Sequence, residues 1–238
     1  MTVGLVSGTS VSRSAFFRSW EEISRQTAHG EVHGRRYGDL VALNRHGPGG
    51  TVPPHAVNHR ANIRFFADLG VDEIISLSSV GSLREDLAPG AIVSCGDYVS
   101  FRPMTFQQQE MRPVTPRVDN AMIPEITRAC GFAVETGCVY VQMPGPRFET
   151  RAEIRVIRHW GDVVGMTMAN EADLCAEVGI GFNSVAVVDN FAHGILDRPV
   201  TAEIFRRQVG ENQSRVDRLL EVFARLFGGN GRVRDEKT

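Results

Sequence analysis

Glu73-Ile74-Ile75-Ser76-Leu77-Ser78-Ser79-Val80-Gly81-Ser82 reads as a short apolar strand, Glu73 to Leu77, that runs into small hydroxyl residues and a glycine. The same pattern opens the chain. Val3-Gly4-Leu5-Val6 has the unbroken apolar character of a buried strand and stops at Ser7-Gly8-Thr9-Ser10. A third apolar run ends in Leu43-Asn44-Arg45-His46-Gly47. Further strands are expected at Ala91 to Val93, Val139 to Gln142, Val163 to Met166 and Ser184 to Val188. Between them lie stretches with helical spacing: about His55 to Leu69, closed by Gly70, then Thr150 to Trp160 and Glu171 to Glu177. A long segment, Thr201 to Leu226, carries Ile204, Phe205, Val209, Val216, Leu219, Leu220 and Phe223 roughly on one stripe. Strands alternating with amphipathic helices predict an α/β protein whose central sheet is covered on both faces.

The length of 238 residues is enough for one generous α/β domain, and nothing in the composition forces a split. Residues 1–227 are therefore expected to form a single domain. The charged, glycine-rich end, residues 228–238, has too little apolar surface to offset the entropy of ordering and is expected to be a flexible tail. A net charge of -2 with scattered Lys and Arg provides no basic field for a phosphodiester backbone, so nucleic acid is not an expected partner. No run approaches a membrane span and the start lacks the pattern of a signal peptide, which leads to the expectation of a cytoplasmic address without membrane contact. Cys95, Cys130, Cys138 and Cys175 are dispersed without CxxC spacing and read as reduced, mostly buried thiols.

The polar punctuation falls where strands end, which is where open α/β sheets bind ligands. Read singly, each segment has a plain alternative. Ser7 to Ser10 and Ser78 to Ser82 can surround an oxyanion with amides and hydroxyls, and both can equally be turns. Arg45 presents a planar fork suited to phosphate with His46 beside it, although Arg-His pairs are also common in solvated turns. His29 with His33, and His55 with His59, have an i,i+4 metal-ligand spacing, but Gly30 and Gly34 spoil the first pair and no metal site is expected.

Two longer blocks change the weighing: Pro144-Gly145-Pro146-Arg147-Phe148-Glu149-Thr150 and Val164-Gly165-Met166-Thr167-Met168-Ala169-Asn170-Glu171. With RHG, VPPHAVNHRANI and GSLREDLAPG in the same order, they resemble the trimeric nucleoside phosphorylase family, which contains purine nucleoside phosphorylases and methylthioadenosine or methylthioinosine phosphorylases. The resemblance runs from Val3 to about Gly194 and more loosely through the last helix. It implies a three-layer α/β/α nucleoside phosphorylase fold, with a central mixed β-sheet flanked by helices.

Carried onto matching positions, the resemblance implies phosphate ligands at Thr9, Arg45, His46, Ser79 and Thr167, with Ser78 as an extra hydroxyl. It places Met166 under the ribose, Phe148 beside the base, Glu149 at N1 and Asn190 at N7 or O6. Asn190, Glu149 and His46 are the implied catalytic residues. Asn190 leans toward 6-oxopurines, because members preferring 6-aminopurines more often carry Asp there. Several positions depart from the pattern. Ser-Gly-Thr-Ser stands for the more usual Gly-Gly-Ser/Thr-Gly, Pro48 to Gly50 lack a His common after RHG, Asn170 replaces Pro, and Asp189 replaces Thr or Ser.

The implied activity is phosphorolysis of inosine, guanosine or 5′-methylthioinosine to free base and sugar 1-phosphate, with inorganic phosphate as co-substrate and no cofactor. Alternatives are a 5′-methylthioadenosine phosphorylase, a nucleoside hydrolase that uses water, and a catalytically silent purine-binding protein. The resemblance also implies a homotrimer or a dimer of trimers, with a neighbouring subunit lining the 5′ pocket, and the region Phe101 to Gln109 as a contributor across that interface.

Overall fold

The computed structural model describes residues 1–8, 11, 15–109, 111–197 and 201–229. Its strands are β1 (Val3–Ser7), β2 (Glu21–Thr27), β3 (Gly30–Tyr37), β4 (Leu40–Asn44), β5 (Glu73–Ser82), β6 (Ile92–Val99), β7 (Val134–Gln142), β8 (Val163–Gly165) and β9 (Gly181–Phe191). The helices are α1 (His59–Asp68), α2 (Ile123–Cys130), α3 (Arg151–Ile157), α4 (Met168–Val178), α5 (Ala202–Glu211) and α6 (Gln213–Phe227).

The described strands form one sheet in the order β2-β3-β4-β1-β5-β8-β7-β6-β9, and β9 also pairs with β5. That second pairing closes β5, β8, β7, β6 and β9 into a ring, so the expected mixed sheet is present but half of it curls back on itself. Parallel β4, β1, β5 and β9 bring Asn44, Ser7, Ser82 and Phe191 to one end of the sheet. Both faces are covered. Val6, Val41 and Leu43 pack with α1 and α4 residues such as Ile63, Phe66 and Leu174, while Val3, Leu5, Leu40 and Ala42 pack with α2 and α6 through Ile126, Leu220 and Phe223. Alternate residues of one strand thus enter opposite cores, which is why these strands read as continuous apolar runs.

Four local features differ from the sequence expectation. The helix after Val57 begins at His59, because the Asn58 side chain accepts from the Ala61 amide and caps it, while Pro54–Ala56 form a short 3-10 turn. The hydroxyl-rich stretch 78–82 continues β5 instead of turning, paired with β9 along its length. The expected helix from Thr201 to Leu226 is two helices broken at Asn212, whose side-chain amide donates to the Val188 carbonyl (3.2 Å) and to Asp189 (2.8 Å). The hairpin β2–β3, which alternation did not flag, extends the sheet at the β4 edge. The tail expected from residue 228 falls, for residues 230–238, outside the described residues, and Gly228 itself accepts a hydrogen bond from the Asp39 amide.

Candidate active site

A cavity of about 330 Å³ opens at the strand ends, lined among others by Arg45, His46, Ser79, Phe148, Glu149, Met166, Thr167, Asn190, His193 and Phe205. Eight of the candidate site residues singled out from the sequence thus share one cavity, although they come from β5, β9 and the segments following β4, β7 and β8. Ser78 is not among them: it is buried, with its hydroxyl 3.4 Å from that of Ser76. Thr9 lies outside the described residues.

Arg45 follows β4, and its backbone amide continues the β1–β4 pairing by donating to the Ser7 carbonyl. Its side chain is 2% exposed, a depth at which a guanidinium survives only with partners. Nε donates to Glu171 Oε1 at 2.6 Å and Nη2 to Oε2 at 3.1 Å, a two-point pairing with the carboxylate. Nη2 also donates to the Val6 carbonyl and the Ser76 hydroxyl, and Nη1 to the Leu77 carbonyl. Of the five donor hydrogens a guanidinium carries, one on Nη1 has no partner among the described residues. The fork expected to grip an anion is therefore largely committed to Glu171, and what faces the site is a single N–H. Gly8 sits against it, since a Cβ at that position would stand 2.5 Å from Nη1 and 3.7 Å from His46 Nε2.

Glu171 was missed by the sequence reading as a functional residue. It is fully buried near the start of α4 and also accepts from the Ser76 hydroxyl at 2.6 Å. A signal was available: it is an acidic residue among Ala169, Ala172, Leu174 and Cys175, which all face inward, and a carboxylate on such a face needs a buried cation. His59 completes the cluster with Nδ1 3.7 Å from Glu171 Oε1, and neither ring nitrogen has a hydrogen-bond partner among the described residues. Burial pushes its pKa down to about 4, so the ring is neutral near pH 7.

His46 is fixed by its Nδ1, 2.7 Å from the Val52 carbonyl. A carbonyl only accepts, so Nδ1 bears the proton and Nε2 holds a lone pair while the ring is neutral. Burial, assisted by the Arg45 charge, lowers its pKa and favours that neutral form. Thr167 stands at the N-cap of α4, but its side chain caps nothing. The Tyr140 hydroxyl takes that duty instead, accepting from the Thr167 (3.1 Å) and Met168 (3.4 Å) amides, and Gln142 Oε1 accepts from Ala169. The Thr167 hydroxyl is thereby left for the cavity.

On the other wall, Phe148 and Phe205 meet edge to face with centroids 5.6 Å apart. Glu149 follows Phe148 just before the capping box of α3, in which Thr150 and Glu153 exchange side-chain to backbone bonds. It is 7% exposed, and burial raises its carboxyl pKa. Gly145 takes φ +63° and passes over Met166 so closely that a side chain there would collide with the Met166 sulfur. Asn190 donates from Nδ2 to the Phe191 carbonyl at 2.8 Å, keeping one amide hydrogen and Oδ1. Asp189, the departure noted beside it, is fully buried and does not line the cavity. Among the described residues no cluster of three or more His, Cys, Asp or Glu could hold a metal ion, and no helix is long and apolar enough to cross a membrane.

A cavity at parallel strand ends with an arginine, a histidine and a threonine hydroxyl on one side, and an aromatic pair with a buried carboxyl and carboxamide on the other, has the makings of an enzyme site for a small anion and a planar polar ring. The model of the Phosphorylase superfamily matches residues 2–225, and the chain belongs to that family. It is 36% identical to the probable 6-oxopurine nucleoside phosphorylase of Dictyoglomus turgidum, over 92% of this chain and 89% of the relative. It is 33% identical to the probable S-methyl-5′-thioinosine phosphorylase of Methanocaldococcus jannaschii, over 93% of this chain and 91% of the relative. Among solved structures, methylthioadenosine phosphorylase from Schistosoma mansoni in complex with adenine superposes with a TM-score of 0.79 at 25% identity, covering 94% of this chain and 91% of that one.

Proposed function

We propose that this chain cleaves the glycosidic bond of a purine nucleoside with inorganic phosphate, releasing the free base and a sugar 1-phosphate, and that 6-oxopurine nucleosides or 5′-methylthioinosine are its substrates. The observation that carries the reading is the sharing of one cavity by Arg45, His46, Ser79 and Thr167 with Phe148, Glu149, Met166 and Asn190.

In this reading the Arg45 Nη1 hydrogen, the Thr167 hydroxyl and Thr9 hold phosphate beside Ser79, whose hydroxyl proton goes to Asp189, while His46 Nε2 accepts the proton that a monobasic phosphate still carries. Arg45 is neutralised by Glu171, so the phosphate charge is not spent on a second cation and remains to stabilise the positive sugar. As the bond from C1′ to N9 lengthens, the sugar gains oxocarbenium character and the base gains negative charge. Asn190 donates to N7 or O6, and Glu149 accepts from N1. A phosphate oxygen then bonds to C1′, the electrons of the broken bond stay on the base, and solvent protonates the base while His46 returns its proton to solvent. Neither a metal nor an organic cofactor enters this sequence.

Phosphate dependence is the deciding test. Incubation with inosine should release hypoxanthine only when phosphate is present. Release without phosphate points to hydrolysis, and purine binding without release to a silent homologue. A panel of inosine, guanosine, 5′-methylthioinosine and 5′-methylthioadenosine then ranks the substrates. The adenine-bound structural relative supports keeping the 6-amino compound in that panel. The proposal extends to a trimeric assembly at a cytoplasmic address. Phe101, 74% exposed, packs its ring edge on Trp160 at 5.2 Å and supplies apolar surface for such a contact, which sedimentation would test.

A further inference from the structure

β5 and β9 run in parallel register one residue to one residue from Glu73 opposite Gly181 as far as Val80 opposite Val188. There the count breaks: Gly81 lies opposite Asn190, and Asp189 is the extra residue of a β-bulge. Without the bulge Asp189 would stand opposite Gly81, and a carboxyl would replace the carboxamide at that place in the cavity. Gly81 leaves room for the residue that does stand there, since a Cβ on it would lie 3.4 Å from Asn190 Nδ2.

A bulge leaves one residue outside the ladder, so something else has to hold it. Asp189 is 0% exposed and tied on two sides. Its Oδ1 accepts from Asn212 Nδ2 at 2.8 Å, and Asn212 also bonds the Val188 carbonyl, so one side chain clamps both residues before Asn190. The carboxyl also takes a hydrogen bond from Ser79, which lines the cavity. Asn212 is the joint between α5, which brings Phe205 to the cavity, and α6, which is rooted in the core through Val216, Leu219 and Leu220. The sequence departure at 189 thus sits where the strand, the cavity hydroxyl and the covering helix meet.

We infer that Asp189 is a positioning residue for specificity: it locks the bulge that presents Asn190 instead of an acid to the base, anchored to Asn212 and Ser79. This rests on the proposed role of Asn190. Because Asn and Asp at that place favour 6-oxo and 6-amino rings respectively, the lock sets which purine the cavity prefers. Oδ2 of Asp189 has no hydrogen-bond partner among the described residues, and burial raises the pKa of its carboxyl, so an uncharged side chain of the same shape should serve.

The test is a set of double-mutant cycles on the full chain, reading kcat/KM for inosine and for adenosine together with thermal midpoints. Asp189→Ala should lower kcat/KM for inosine about 10-fold to 100-fold, as a misplacement on the order of 1 Å does, and narrow the inosine to adenosine ratio. Asp189→Asn should restore both. In an Asn190→Ala background Asp189→Ala should add less than about 3-fold, because the group it aims is gone. Should Asp189→Ala not fold, Asn212→Ala opens the same clamp from the other side and enters the same cycle with the same expectation. An unchanged inosine to adenosine ratio in the alanine variants, or losses that add fully to Asn190→Ala, overturns the inference while leaving the proposed reaction intact. An Asn190→Ala enzyme as active as the parent overturns the role of Asn190 first, and the lock with it.

Discussion

The two walls of the cavity are built by opposite means. Around Arg45, the polar side chains are tied into the sheet and α4: the guanidinium bonds two strands and a helix, Glu171 answers it with both oxygens, and the Tyr140 hydroxyl, not the Thr167 side chain, caps the start of α4. Around Phe148 and Phe205 the side chains stand on a loop and on α5, and their mutual contact is an aromatic edge. One wall is preorganised, which suits a step where charge develops and no reorganisation should be required. The other is adaptable, which suits a family with relatives named for 6-oxopurine nucleosides, for S-methyl-5′-thioinosine and for S-methyl-5′-thioadenosine. Perturbing the first wall should therefore damage fold and turnover together, whereas perturbing the second should change affinity and preference.

The largest effect is expected at Glu171. Glu171→Ala leaves the Arg45 charge buried and unpaired, at a cost of about 3–5 kcal/mol, and should lower the unfolding free energy measured in urea by that order while abolishing turnover. Glu171→Gln, which keeps hydrogen-bond geometry and loses the charge, should fall between. If Glu171→Ala is as stable as the parent, the anchored character of this wall is wrong.

Next comes acid. His59 has a folded-state pKa of about 4 against an ordinary value of 6.5, so the unfolded chain binds a proton on this ring at a higher pH than the folded one does. The stability gained by keeping it neutral is intact above pH 6.5 and is lost as the pH falls toward about 4, to a total of roughly 3 kcal/mol. His59→Phe should flatten that part of the stability profile. Thermal midpoints of both proteins between pH 7 and pH 4 check it, and parallel curves would remove His59 from the account.

How much of this was legible in the sequence divides along the same line. The strands with both faces buried announced themselves as apolar runs, and the cavity residues Arg45, His46, Phe148, Glu149, Thr167 and Asn190 stood in recognisable blocks. The wiring behind them did not. Ser78, Ser79 and Ser82 look like a turn because hydroxyl residues usually punctuate chains, yet here the pairing with β9 and the buried hydroxyl of Ser76 let them stay in a strand. The break at Asn212 is invisible to helical spacing because its cause lies on β9, at Val188 and Asp189. Ser78 faces the buried cluster and not the cavity because alternate strand residues point to opposite faces, and Ser79 has the cavity side.

A third change probes the seam where substrate phosphate meets the anchored wall. Gly8→Ala puts a methyl group 2.5 Å from Arg45 Nη1, and the guanidinium cannot swing away without leaving Glu171. Displacement of that donor should raise the KM for phosphate on the order of 100-fold while the KM for inosine changes little. Equal rises in both constants would mean that position 8 acts on the whole cavity and that the two walls are not separable.

The smallest effect is expected on the adaptable wall. Phe205→Ala removes an aromatic edge contact with Phe148 worth about 0.5–1.5 kcal/mol and should raise the nucleoside KM no more than about tenfold. The turnover number and the KM for phosphate should stay near the parent values, because no bond from α5 reaches Arg45 or Thr167 among the described residues. A partly exposed ring on a surface helix also contributes little to the core, so the thermal midpoint should barely move. Were Phe205→Ala instead to depress turnover as strongly as a change at Arg45, α5 would have to close as part of the chemical step, and the contrast between a fixed and a yielding wall would give way to a single cooperative site.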